Sequence, residues 1–105
     1  MAGWCQVQVT TATEEEAQRI ATILIDRRLA ACVQVVGPIE SHYRWEGRRE
    51  VAREWLCLVK TTQERLDAAV AAVEEAHSYD TPEVVALPIT GGSAGYLRWL
   101  DDSVP

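Results

Sequence analysis

Residues 39–61 begin Ile39-Glu40-Ser41-His42-Tyr43-Arg44-Trp45, turn through Glu46-Gly47-Arg48-Arg49, and return from Glu50 to Thr61 as EVAREWLCLVKT. The first segment alternates with the period of a strand: Ile39, Ser41, Tyr43 and Trp45 face one way, and Glu40, His42 and Arg44 the other. Glu46–Arg49 carries the glycine of a hairpin turn, and Val51–Thr61 is the returning strand. Just before this hairpin, Ala31–Val36 is apolar and β-branched and is broken at Gly37-Pro38. Further upstream, Trp4–Thr10 reads as a strand. Thr13-Glu14-Glu15-Glu16 then forms a capping box whose acids suit the positive end of a helix. The stripe Ala17, Ile20, Ala21, Leu24 carries that helix to near Leu29. Downstream of the hairpin, Thr61-Thr62-Gln63-Glu64 is a second capping box, followed by a stripe at Leu66, Ala69, Val70 and Val73. Glu83–Ile89 is a last strand, Gly91-Gly92 ends it, and Ser93 caps a short helix bearing Tyr96, Leu97, Trp99 and Leu100.

The order is β-α-β-β-α-β with an extra C-terminal helix. It predicts an α+β, ferredoxin-like sandwich, one antiparallel sheet with two helices on one face. Such a sheet should alternate apolar-in and polar-out. These strands do not. Leu56 and Leu58 occupy one face while Trp55, Cys57 and Val59 occupy the other, and Val84-Val85-Ala86-Leu87 is apolar on both. An uncovered apolar face marks an interface, so the second face is expected to pack against other copies of the chain. The competing arrangement is a monomer with the terminal helix folded over that face.

A length of 105 residues without linker or repeat predicts one domain, residues 1–105. Ten Lys+Arg stand against sixteen Asp+Glu, a net charge of −6. An acidic chain repels phosphate backbones, and its one basic cluster, Arg48-Arg49, lies beside Glu46 and Glu50, so no nucleic-acid partner is expected. No apolar run approaches the roughly 20 residues that span a bilayer, so no membrane role is expected either. The start, Met1-Ala2-Gly3-Trp4, shows no basic segment followed by a long apolar stretch, and a cytoplasmic location is the expectation. Cys5, Cys32 and Cys57 are scattered, without a C-x-x-C pair, the pattern of packing cysteines in a reducing compartment.

Five blocks in unbroken order then carry a resemblance: Arg28-Leu29-Ala30-Ala31-Cys32-Val33, Tyr43-Arg44-Trp45-Glu46-Gly47, Leu58-Val59-Lys60-Thr61-Thr62, His77-Ser78-Tyr79-Asp80-Thr81-Pro82-Glu83, and Tyr96-Leu97-Arg98-Trp99-Leu100. The chain resembles the CutA family of divalent-cation tolerance proteins from about Val7 to its end. The resemblance implies a ferredoxin-like subunit, a tight homotrimer similar to the PII signalling proteins, a bacterial cytoplasmic home, and tolerance of copper and other divalent metal ions. Protein partners remain unnamed by it.

His77 matches the family position associated with copper, and imidazole suits copper and zinc. The other reading of His77 is a helix-ending histidine whose ring bonds backbone carbonyls. Family members that place a cysteine at the end of the first strand and a second histidine before the first differ from this chain, which has Thr10 and Ala76 there. One imidazole of three ligands implies weak or shared metal binding. Cys32 is the second metal candidate, a thiolate for Cu(I) or Zn, weighed against packing at the start of a core strand. Glu54 and Lys60 share one strand face, with Leu56 and Leu58 between them. With Tyr43, Trp45, Tyr79 and Glu83 they would form a polar cleft with aromatic walls where subunits meet.

Two functions compete: direct binding of copper or another divalent ion, and a PII-like sensor with a small ligand between subunits. Imidazole or thiolate ligands would mark the first and a lysine- or arginine-lined cleft the second. An enzyme is not expected. No G-x-S-x-G or nucleophile–base spacing is present, and the loop after the first strand, Thr10-Thr11-Ala12-Thr13, lacks an acylphosphatase-type arginine.

Overall fold

Four strands make one antiparallel sheet: β1 (Trp4–Thr11), β2 (Cys32–Trp45), β3 (Arg48–Thr62) and β4 (Val84–Ile89), in the order β2-β3-β1-β4. Helix α1 (Glu14–Asp26) follows β1, α2 (Leu66–Ala76) follows β3 after a 3-10 turn at Gln63–Arg65, and α3 (Ala94–Ser103) ends the chain. This computed structural model describes residues 3–105, so the Met1-Ala2 part of the leader reading lies outside the described residues.

Alternation decides which side chains meet. Cys5, Val7 and Val9 of β1 stand opposite Thr61, Val59 and Cys57 of β3, and one face of the sheet takes all of them. Ala17, Ile20 and Leu24 of α1 and Ala69, Ala72 and Val73 of α2 close over that face to form the core. Ile20 and Leu24 are fully buried, each contributing about 2 kcal/mol of transfer free energy. The opposite face carries Val36, Leu56, Leu58, Val85 and Leu87. No helix of the sandwich reaches these residues, and Val36, Val85 and Leu87 remain exposed. Helix α3 covers only one end of that face: Leu100 is fully buried, the Asp101 carboxylate accepts from the Trp4 indole at 2.9 Å, and Tyr96 bonds Cys32, the partner of Lys60.

The distal halves of β2 and β3 form an arm that leaves the body. The molecule measures 44 × 25 × 22 Å, with a radius of gyration of 14.2 Å. A compact chain of this length would give about 13 Å.

Four local expectations are corrected. The strand does not end at Gly37-Pro38; β2 runs through it with a bulge, three steps on β2 from Val36 to Ile39 matching two on β3 from Leu56 to Glu54. Proline has no N–H for a ladder, and the extra residue absorbs the missing bond. The hairpin turn is tighter than Glu46–Arg49: Trp45 pairs Arg48, leaving Glu46 (φ 50°) and Gly47 (φ 76°) as the two left-handed central residues. Helix α1 stops at Asp26, three residues short of Leu29, because Arg28 turns left-handed (φ 56°) and the N–H groups of Leu29 and Ala30 return to the Leu24 carbonyl. The second capping box does not form. Thr61 Oγ1 donates instead to the Leu29 carbonyl at 2.7 Å, and Thr62 makes no side-chain cap.

Candidate functional site

The first capping box forms by half. The Glu16 N–H donates to Thr13 Oγ1 at 3.1 Å, but the Glu16 side chain does not reach back to the cap residue. It turns inward, 4% exposed, and accepts from the Ser78 N–H (2.7 Å), the Ser78 hydroxyl (3.1 Å) and the Ala12 N–H (3.4 Å). Burial alone raises the Glu16 pKa, and these donors, led by Ser78, outweigh it and hold the carboxyl below its ordinary value. Thus α1 grips the loop that leaves α2.

His77 ends α2 in an extended conformation. Its Nε2 lies 2.7 Å from the Thr10 carbonyl, and its Nδ1 lies 3.0 Å from the Tyr79 N–H. A carbonyl only accepts and an amide only donates, so Nε2 carries the proton and Nδ1 the lone pair. Both ring nitrogens are committed to backbone, and none of the side chain is exposed. The structure therefore corrects the copper reading of His77: a metal ligand needs a lone pair that this ring has already given away. What the ring does is brace Tyr79, whose ring lies tilted at 46° to it with centroids 4.8 Å apart.

Tyr79 transmits that brace to the arm. Its phenol donates to Glu54 Oε2 at 2.9 Å, and burial followed by the Glu54 carboxylate pushes the phenol pKa up to about 12. Glu54 itself is 6% exposed. No lysine, arginine or histidine pairs with it among the described residues.

Above this pair lies a cavity of about 570 Å³. The arm supplies Ser41, His42, Tyr43 and Trp45, β3 supplies Glu54, and the loop from α2 to β4 supplies Tyr79, Asp80, Thr81 and Glu83, with Thr10 at its base. Five of the six cleft residues expected from the sequence line it together. Lys60 does not. It shares the strand face of Glu54 but lies six residues along β3, where Nζ donates to Gln34 Oε1 at 2.6 Å. No lysine or arginine lines the cavity.

Cys32 is also distant from His77. It pairs with Lys60, whereas Thr10, which holds His77, pairs with Leu56. Four residues of strand and two strand spacings separate them, about 16 Å. Among the described residues no group of three His, Cys, Asp or Glu side chains is placed to hold a metal ion. The donor set of one subunit does not fit a resident copper at His77 and Cys32. The other two cysteines pack: Cys5 and Cys57 are fully buried, and burial, followed by the charge of Glu16, pushes the Cys57 thiol up to about 11.

Sequence reading did not assign Glu16, Thr10, Ser41, His42, Asp80 or Thr81 to the site. Asp80 and Thr81 stand inside the His77–Glu83 block, and Ser41 shares a strand face with Tyr43 and Trp45, so their places were open to inference. Glu16 had no such signal, since it looks like an ordinary first-turn acid.

Known proteins give a consistent comparison. Residues 5–103 match the family model described as CutA1 divalent ion tolerance protein. The chain is 46% identical over 97 residues to Protein CutA 1, chloroplastic, of Oryza sativa subsp. japonica, covering 92% of this chain and 55% of that protein. It thus spans about half the length of that plant relative. The crystal structure of CutA1 from Oryza sativa superposes with a TM-score of 0.95 at 44% identity, covering 98% of this chain and 94% of that one. The Archaeoglobus fulgidus structure, described as the periplasmic divalent cation tolerance protein CutA, gives 0.92 at 39% identity and covers all of both chains. These descriptions overturn the cytoplasmic expectation, since one relative is chloroplastic and another periplasmic. The structure adds that no described helix is long and apolar enough to cross a membrane. With the fold, the five sequence blocks and the family match in agreement, the chain belongs to the CutA1 divalent ion tolerance family.

Proposed function

We propose that the subunit is a ferredoxin-like unit working as a homotrimer, and that it serves divalent-cation tolerance without catalysis by taking a small ligand in the cavity at the root of its arm, the PII-like mode. The strand order β2-β3-β1-β4 with both sandwich helices on one face supports the first part. The open apolar face supports assembly. The observation that carries the ligand role is the cavity itself, about 570 Å³ with Tyr43, Trp45 and Tyr79 in its walls and Glu54 at its base. Its size and aromatic lining are those of a small-molecule site.

A second reading rests on the three carboxylates Glu54, Asp80 and Glu83 in that cavity. Oxygen donors suit a hydrated divalent ion held through its water shell. Copper would then sit weakly in the cleft and not on His77 or Cys32.

Native mass spectrometry of metal-stripped protein titrated with Cu(II), Cu(I) and Zn(II) tests both, with Cys32→Ser and Glu54→Gln alongside. The expected result is a mass of three chains whose metal uptake, where present, is indifferent to Cys32→Ser. Saturable metal lost in Glu54→Gln favours the second reading. Metal lost in Cys32→Ser restores the thiolate site, and a mass of one chain removes the trimer.

A further inference from the structure

We propose that the cavity at the root of the arm takes an organic cation, a primary or secondary ammonium group on a short hydrocarbon chain. The inference rests on the reading of this cavity as the ligand site and gives that ligand its charge and shape.

The charge comes from Glu54. It is a carboxylate 94% removed from solvent, since 6% remains exposed, and its single hydrogen-bond donor is the neutral phenol of Tyr79. A buried carboxylate without a cation is costly, and removing the partner of such a group is among the more destabilising changes a protein can suffer. Asp80 and Glu83 add negative charge at the cavity, and no lysine or arginine offsets it. An anionic ligand would meet three carboxylates and no basic side chain but His42, whose Nε2 is already 2.6 Å from Glu40. The lining that one subunit supplies therefore favours a cation over an anion.

The shape comes from the walls. Tyr43 and Trp45 are 45% and 51% exposed, and with Tyr79 they give the cavity three aromatic rings. Aromatic faces attract ammonium groups and pack against alkyl chains, and they supply none of the oxygen ligands that a divalent metal ion requires. A divalent ion stripped of water needs about six oxygen ligands. Glu54 gives one oxygen to Tyr79, and no three-donor group is present among the described residues. An N–H donor of an amine needs less: one free carboxylate oxygen on Glu54 and a ring beside it. The volume exceeds what a small ion fills and suits a ligand of several heavy atoms.

Isothermal titration calorimetry of the full chain with three probes of one size, butylamine, 1-butanol and butyrate, isolates the charge. Butylamine is expected to bind saturably, with the alcohol and the acid at least about tenfold weaker, as befits a charge-assisted hydrogen bond. Glu54→Gln keeps the shape and is expected to lose about tenfold in butylamine affinity. Asp80→Asn and Glu83→Gln, at exposed positions, are expected to lose about twofold each and keep the inference testable if Glu54→Gln fails to fold. Butyrate binding as tightly as butylamine overturns the charge assignment and leaves the cleft reading standing. Cu(II) or Mg(II) displacing butylamine at lower concentration, with loss in Glu54→Gln, makes a metal ion the occupant and overturns the inference. No binding by any of these probes to folded protein overturns the inference and the cleft reading together.

Discussion

Glu16 shows how a single residue can hide its role. In the sequence it is one of three acids in a capping box, and its local neighbours say nothing more. Its partner Ser78 lies 62 residues away, and only the fold brings the two together. Glu16→Gln turns a donor toward either the Ser78 or the Ala12 N–H and is expected to cost about 1–3 kcal/mol, read as a lower urea midpoint at unchanged slope. The pH profile adds a signature. The carboxyl titrates lower in the folded chain than its ordinary value of 4.5. Its stabilisation is therefore complete above that value and is lost as pH falls through the lower folded value. Wild-type stability should fall more steeply below pH 4.5 than that of Glu16→Gln. His77 teaches the complementary lesson. Its place at a helix end favoured a structural role, the family resemblance set a ligand role level with it, and the two backbone partners favour the brace.

Among the elements, the alternating arm and the two helical stripes were legible because each side chain's face follows from its own spacing. Boundaries were less so. Gly37-Pro38 reads as a strand end because proline cannot join a ladder, yet β3 continues opposite and a bulge carries β2 past it. Gly37 has its own reason to be glycine: a Cβ there would overlap the Trp55 ring. Gly37→Ala is expected to cost about 1–3 kcal/mol by overpacking. In a double-mutant cycle with Trp55→Leu, the penalty of the alanine should shrink, since the ring it strikes is gone. Equal penalties in both backgrounds would place the strain in the backbone. The second capping box failed because Thr61 was drawn to the Leu29 carbonyl, a partner 32 residues away that spacing does not reveal.

For the whole molecule, the sheet is covered on one side and open on the other. That asymmetry was legible from strands apolar on both faces, and five of the cavity's lining residues were legible too, as a cleft between subunits; that the arm, the α2–β4 loop and the end of β1 of a single chain gather them was not. Lys60 was misassigned for the same reason: sharing a face with Glu54 does not mean sharing a site. Leu87→Asp, on the open face, is expected to split the assembly while leaving the core untouched, seen as a smaller mass in analytical ultracentrifugation. Wild-type melting temperature should also rise with protein concentration, as for any chain stabilised by its own copies. The most direct test of the account is native mass spectrometry of the full chain with butylamine and Cu(II) present together, repeated on Glu54→Gln and Cys32→Ser. It predicts a three-chain mass carrying amine that disappears in Glu54→Gln and persists in Cys32→Ser. A chain that carries copper and no amine, and loses the copper in Cys32→Ser, would contradict it.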